Sequence, residues 1–194
     1  MVSKDPFTLS GRHVSLVPLA EIHCVELQAA VRDGALWKLP YTIVPSPENM
    51  FSEINRRLDL QAQGLMQAFA VIDHQSNRAV GMTSYCRIDA PNRRLDIGWT
   101  WYRRSMQRTA VNTECKLLLL AHAFEQLNCI AVGFRVHSLN EPSRRAVERL
   151  GAQLDGIIRN DSIMPDGRLR NMCFYSILPE EWLAVKAKLR SFLL

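Results

Sequence analysis

Asp96-Ile-Gly-Trp-Thr-Trp-Tyr-Arg-Arg-Ser-Met-Gln-Arg-Thr-Ala-Val-Asn-Thr-Glu-Cys-Lys-Leu-Leu-Leu-Leu120 runs from an alternating strand through a short polar turn straight into an apolar helix. Leu95, Ile97, Trp99 and Trp101 alternate with Asp96, Gly98, Thr100 and Tyr102, the two-residue period of a strand with two different faces. From Thr113 the period lengthens, and Leu117, Leu120, Ala121, Phe124 and Leu127 form one helical stripe. The turn Gln107-Arg108-Thr109-Ala110-Val111-Asn112 therefore precedes a helix, where unpaired backbone N–H groups and the positive end of the helix dipole favour an anion such as phosphate. Arg103, Arg104 and Arg108 add charge there, although many such turns are plain connectors.

The rest of the chain sets the bounds. Its 194 residues, 47% of them hydrophobic, suffice for one compact domain, expected to span 1–194. The start Met-Val-Ser-Lys-Asp-Pro has no apolar run behind it, so no leader is expected, and no stretch is long and apolar enough for a membrane span. Five cysteines, Cys24, Cys86, Cys115, Cys129 and Cys173, form no close pair, which argues for reduced thiols in the cytoplasm and against a zinc site. The five histidines show no metal-ligand spacing, and no metal is expected. A net charge of +5 raises a nucleic-acid partner, but the arginines fall in ones and twos with no dense tract between exposed aromatics, so no nucleic acid is expected.

Outside the central segment, Arg12–Leu19 reads as a strand and Glu21–Arg32 as a helix ending near Gly34. A helix follows Ser46-Pro47-Glu48, with Ser46 as N-cap. The stretch from Trp37 to Pro45 is too rich in proline for a helix and too apolar for an idle loop. It either covers the core or lines a cleft. Strands at Gln67–Asp73 and Ala79–Ile88 flank a polar hairpin, and Ile130–Val136 alternates as another strand. Asn140 to Gly151 is a helix with a readable cap, a proline in its first turn and a terminating glycine. Strands at Gln153–Arg159 and Leu169–Leu178 bracket a loop containing Pro165-Asp-Gly167, and a last helix starts after Pro179. This order makes an α/β protein, a mixed sheet of about seven strands flanked by helices.

The order of elements, with Ile97-Gly98-Trp99-Thr100-Trp101, Asn112-x-Glu114-x-Lys116-Leu-Leu-Leu and Asn140-x-x-Ser143…Leu150-Gly151-Ala152, resembles the GNAT superfamily of acyl-CoA-dependent N-acetyltransferases. The likeness is to the branch containing the ribosomal-protein N-terminal (alanine/serine) acetyltransferases, and it covers nearly the whole chain. It implies a twisted, mostly antiparallel sheet splayed between its fourth and fifth strands, with the acyl-CoA arm in the opening. The family's pyrophosphate turn, Gln/Arg-x-x-Gly-x-Gly/Ala, here reads Gln107-x-x-Ala110-x-Asn112, so a methyl stands where glycine leaves room, and Asn112 would cap the helix from Thr113.

The resemblance also implies roles. Acetyl-CoA would be the co-substrate, with Trp99, Thr100 and Trp101 lending backbone groups to its arm, Gln107, Arg108, Thr109, Ala110, Val111, Asn112 and Thr113 around the pyrophosphate, and Asn140 and Ser143 at the reacting end. Ser143 would supply the proton for the departing thiolate. Asp161, in the loop between the last two strands, or Asp96, on the central strand, would accept the amine proton; His137 is a third option, with a pKa naturally near neutrality. Plain structural roles remain open at this point: Asn140 as a cap, Ser143 as a first-turn residue, and either aspartate in a salt bridge. Cys115 and Cys129 have no evident base and are expected in the core. The expected activity is acetyl transfer to a primary amine by direct attack in a ternary complex. The alternative is a catalytically weak acyl-CoA-binding or sensor module. Family members are often dimers, so a homodimer is compatible with the resemblance.

Overall fold

The computed structural model describes residues 6–164 and 166–194. Pro165 of the expected last loop, and residues 1–5, with which the expectation of no leader begins, lie outside them. The strands are β1 (Leu9–Ser10), β2 (Val14–Pro18), β3 (Met66–Asp73), β4 (Arg78–Asp89), β5 (Arg94–Tyr102), β6 (Ala131–His137), β7 (Gln153–Ile163) and β8 (Leu169–Ile177). The α-helices are α1 (Cys24–Arg32), α2 (Met50–Ala62), α3 (Ala110–Ala121), α4 (Glu141–Leu150) and α5 (Pro179–Ser191). One sheet runs β1-β2-β3-β4-β5-β6-β8-β7. Every neighbouring pair is antiparallel except β5 and β6, which are joined by α3 as a parallel crossover.

Among the described residues that makes eight strands where about seven are expected. The extra one is the two-residue β1, which pairs Leu9 with Leu16 and Ser10 with Ser15 and is too short to carry a period. The opening expected between the fourth and fifth strands is therefore between β5 and β6. Helix α2 starts at Met50 with Asn49 in the N-cap position, because Ser46 and Pro47 accept backbone bonds in a preceding turn. Strand β7 continues to Ile163 rather than stopping at Arg159: a bulge between Ile158 and Ser162, with Asn160 at φ +51°, absorbs the residues read as loop.

Both faces of the sheet are covered. On one, Val14, Leu16, Phe69, Val132 and Phe134 pack against Cys115 and Leu119 of α3, Leu150 of α4 and Leu189 of α5. On the other, Ala68, Ala70, Met82 and Trp101 pack against Leu27 and Val31 of α1 and Met50 and Ile54 of α2. Each fully buried Leu or Ile contributes about 2 kcal/mol from leaving water, and β3 and β4, buried on both faces, lose the apolar–polar alternation of a half-exposed strand.

Two polar contacts place α3 and β6 where the opening needs them. The Glu114 carboxylate, buried on α3, accepts backbone N–H bonds from Arg12 (2.7 Å), His13 (2.6 Å) and Val14 (2.8 Å). Gly11 makes room for it, since a Cβ there would lie 2.4 Å from Glu114 Cδ. Second, β5 and β6 pair only through Arg94–Ala131, Leu95–Val132 and Asp96–Gly133. At that last pair the Asp96 carboxylate lies over Gly133, bonded to Arg135 Nε at 2.9 Å, with Arg87 Nε at 3.8 Å. Asp96 thus sits in an ion pair with the next strand at the point where the two strands part.

Removing the Glu114 acceptor leaves three N–H groups without their partner, so Glu114→Ala is expected to lower the unfolding free energy by roughly 2–4 kcal/mol and Glu114→Gln by less, both read by urea denaturation. Gly133→Ala brings a Cβ within 2.3 Å of Asp96 Oδ1 and is expected to cost about 1–3 kcal/mol. In the Asp96→Ala background the same change is expected to cost at least about 0.5 kcal/mol less, since the atom it strikes is gone; additive costs would contradict this packing.

Candidate functional site

Beyond Asp96 the backbone of β5 still pairs with β4 but no longer with β6. Its far edge, from Ile97 onward, is open to an extended ligand rich in amides. A β-bulge marks the opening: Met82 opposes Trp101 and Ser84 opposes Gly98, so Thr83 faces both Trp99 and Thr100. Trp99 takes φ +51°, a conformation that costs a bulky residue energy and needs support from its surroundings.

The support comes from two buried cations on opposite faces. From α2, Arg57, 1% exposed, donates Nη2 to the Trp99 carbonyl (3.1 Å), Nη1 to Ser84 Oγ (3.2 Å) and Nε to Glu53 Oε1 (2.7 Å). Burial pushes the Glu53 carboxyl up, but hydrogen bonds from Arg56 and the charge of Arg57 outweigh it and hold Glu53 below the usual range, so it is a poor proton acceptor near neutrality. From α3, Lys116 Nζ donates to Thr100 Oγ1 at 3.2 Å, and Thr100 in turn shares a 2.8 Å hydrogen bond with Thr83. The Trp99 ring itself stays 41% exposed, with the Arg56 guanidinium 4.6 Å from its centroid.

The turn at the end of β5 differs from expectation in two respects. Helix α3 starts at Ala110, three residues early, and Thr109 rather than Asn112 is its N-cap, accepting from Val111 N at 3.3 Å. The left-handed residue is Arg108 (φ +62°), and Ala110 is an ordinary first helical residue, so the glycine-for-φ argument does not apply to it. A left-handed residue before a helix start aims successive N–H groups into one concavity, suited to phosphate. Gln107 Nε2 ties the turn back to the Tyr102 carbonyl (3.1 Å). Arg108 is exposed and Asn112 half-buried, whereas Arg103 is committed to Asp33 (2.8 Å). Val111 and Thr113 are buried, and Thr113 Oγ1 accepts from Arg149 of α4 at 3.2 Å, which fastens α4 beside α3. Trp101 turns its ring into the core under α1 and α2, so only its backbone can serve a ligand in the opening.

Of the candidates on the far wall, Asn140 caps α4, its Oδ1 accepting from Ser143 N at 3.2 Å, and Ser143 is half-buried in the first turn. Arg144 Nε donates to Tyr175 Oη (2.9 Å), which donates to Glu148 Oε1 (2.7 Å), holding α4 on β8. Asp161 is exposed in the β7 bulge, on a strand and not in a loop. His137 is buried at the end of β6. Burial lowers its pKa, aided by the charges of Arg170 and Arg168, and its Nδ1 accepts from Leu139 N (3.0 Å), which leaves the neutral ring's proton on Nε2. Burial pushes the Cys115 thiol up to about 12, so it is no nucleophile at neutral pH. Trp37 packs against the α1–α2 core, and the neighbouring Pro40 carbonyl accepts from Arg168 Nη2 (3.0 Å), joining that segment to the β7–β8 connection.

Glu53, Arg57 and Lys116 were not singled out for roles from the sequence. Their signal was there: Arg57 falls on the stripe Met50-Ile54-Arg57, and Lys116 interrupts an apolar run. Among the described residues no cluster of three His, Cys, Asp or Glu could hold a metal ion, and no helix is long and apolar enough to cross a membrane.

Comparison with known proteins agrees with this geometry. The uncharacterized N-acetyltransferase p20 of Bacillus licheniformis is 27% identical over 143 residues, 74% of this chain and 78% of its own. YdaF of Bacillus subtilis (strain 168), provisionally named a ribosomal N-acetyltransferase, is 32% identical over 108 residues, 53% of this chain and 55% of its own. The crystal structure of a GCN5-related N-acetyltransferase from Brucella melitensis superposes with a TM-score of 0.87 at 28% identity, covering 98% of this chain and 86% of that one. The family described as acetyltransferase (GNAT) domain matches residues 13–153. The chain therefore belongs to the GNAT family and is an acetyl-CoA-dependent N-acetyltransferase.

Proposed function

We propose that the whole chain forms one acetyltransferase domain that carries acetyl groups to the free N-terminus of a protein, by direct attack of the amine in a ternary complex. The observation that carries the site assignment is the bulged, one-sided edge of β5 from Ile97 to Trp101 beside the start of α3. Its backbone groups would pair with the amides of the acyl-CoA arm, the N–H groups of 108–113 would hold the pyrophosphate, and a backbone N–H at the Trp99 bulge would polarise the thioester oxygen. Ser143 would donate the proton that the departing thiolate takes up, and Asp161 would accept the proton the amine gives up.

A protein acceptor is supported by the mouth of the site. Its candidate walls are the segment 37–45, which Pro40 joins to Arg168 of the β7–β8 connection, and the half-exposed Trp99 with Arg56, whose apolar and backbone surface would suit an extended chain end. The name carried by YdaF points the same way. A small-molecule amine is the other reading. Peptides with a free N-terminus, N-blocked peptides containing lysine, and small amines, each supplied with acetyl-CoA, separate the two by thiol release. Release with free N-termini alone is expected, and release with small amines alone would overturn the acceptor assignment.

Ser143→Ala is expected to lower turnover roughly 100-fold, the low end for general acid catalysis because a thiolate leaves readily, while CoA affinity by calorimetry changes little. Asp161→Asn removes the proton acceptor, so the amine must already be neutral, and the rising limb of the pH–rate profile is expected to move to higher pH. An unmoved limb would return Asp161 to a plain surface role.

A further inference from the structure

Lys116 is a buried cation that the reading above leaves without a role. It is 6% exposed, on the seventh residue of α3, and its side chain reaches both β5 and β6. Its surroundings there are Thr100 Oγ1 on β5, at 3.2 Å, and the Phe134 ring on β6, whose centroid is 6.0 Å from Nζ. An ammonium has three donors, and Thr100 occupies one. A charge held with so little compensation is costly unless something in the β5–β6 opening uses it.

We propose that Lys116 is a charge-offsetting residue of the acetyl transfer, its ammonium anchored on Thr100 and directed at the sulfur end of the acyl-CoA arm. This rests on the reading of the β5–β6 opening as the acyl-CoA site. In the transfer the C–N bond forms as the C–S bond breaks. The amine proton goes to the base, and the electron pair of the broken bond stays on sulfur, where Lys116 offsets its charge until Ser143 supplies a proton. The placement is specific: Thr100 follows Trp99 directly, so the ammonium lies one residue from the bulge proposed to hold the thioester oxygen, on the face of the sheet opposite Arg57.

The titration of the lysine fits this use. Burial lowers it to about 8, while the charges that raise it are only those of Cys115 beside it on α3 and Cys86 on β4. Both thiols are themselves pushed up to about 12 by burial and are neutral at ordinary pH. Thr100 and Phe134 carry no charge, the Glu114 carboxylate of α3 is turned to the β1–β2 connection, and Arg57 is bonded to Trp99 from the other face. The lysine is thus charged below about pH 8 and gives up its proton close to the pH at which an ordinary thiol of pKa about 8.5 ionises.

The test uses CoA itself as the probe, with the intact protein and Lys116→Met, which keeps an unbranched side chain one atom shorter and removes its charge. Thiolate ultraviolet absorbance of bound CoA is titrated against pH, with affinity measured by calorimetry. With Lys116 present the bound thiol is expected to ionise about one pH unit or more below its value in the variant. Turnover in the variant is expected to fall on the order of 100-fold, with the loss in kcat rather than KM. The wild-type rate is also expected to decline above about pH 8 as the lysine deprotonates, a limb that the variant lacks. If CoA binds both proteins and the thiol titrates alike in both, the proposal is overturned and Lys116 only braces Thr100. If CoA fails to bind the wild type, the site assignment itself falls. Should Lys116→Met not fold, Thr100→Val keeps the charge but frees the ammonium from its anchor. A narrowed thiol shift is then expected, and a shift equal to the wild type's overturns the proposal.

Discussion

The hydrogen bond from Arg57 to the Trp99 carbonyl is the contact on which the site depends. A tryptophan in left-handed backbone is not stable by itself, and without the extra residue at 99–100 β5 would continue flat beside β6. Arg57 makes the deviation affordable, and Glu53 in turn makes Arg57 tolerable in the interior, since a guanidinium sealed from water needs a carboxylate to face it. The chain of dependence runs from a carboxylate on α2, through one cation, to a kink in a strand, and from the kink to an open backbone edge. Asp96 completes it from the other side by tying β5 to Arg135 at the last paired residue, so the strands are joined up to one residue and separated after it.

This arrangement explains why much of the fold was legible and some of the site was not. The strands Met66–Asp73 and Arg94–Tyr102, the capped helix from Asn140 and the order of elements follow from short-range signals: alternation, turn residues, a cap and a terminating glycine. The start of α3 was misread because both Thr109 and Asn112 can cap a helix, and the apolar period that decides between them begins only further along. The end of β7 was misread because a bulge imitates a loop.

The site residues divide along the same line. The alternation of β5 and the existence of a turn before α3 are readable because backbone geometry follows local sequence, whereas residues 110–113 belong to the first turn of α3. Asp96 was ambiguous because its partner, Arg135, lies on a different strand. Arg57 and Lys116 were visible as polar residues on apolar stripes, but what each touches is set by tertiary packing across more than a dozen residues.

The bulge in β7 has a consequence for the chain as a neighbour of other chains. β7 is the outer strand of the sheet, and Leu154, Ile157, Ile158 and Ile163 are about half exposed or more, a combination that invites a foreign strand to add on. The left-handed Asn160, flanked by the charged Arg159 and Asp161, breaks the pairing rhythm, as does a second register shift between Leu154 and Gly156, so that an incoming strand would meet three short runs instead of one long template. The residue proposed to accept the substrate's proton thus stands in the irregularity that interrupts this outer edge of the sheet.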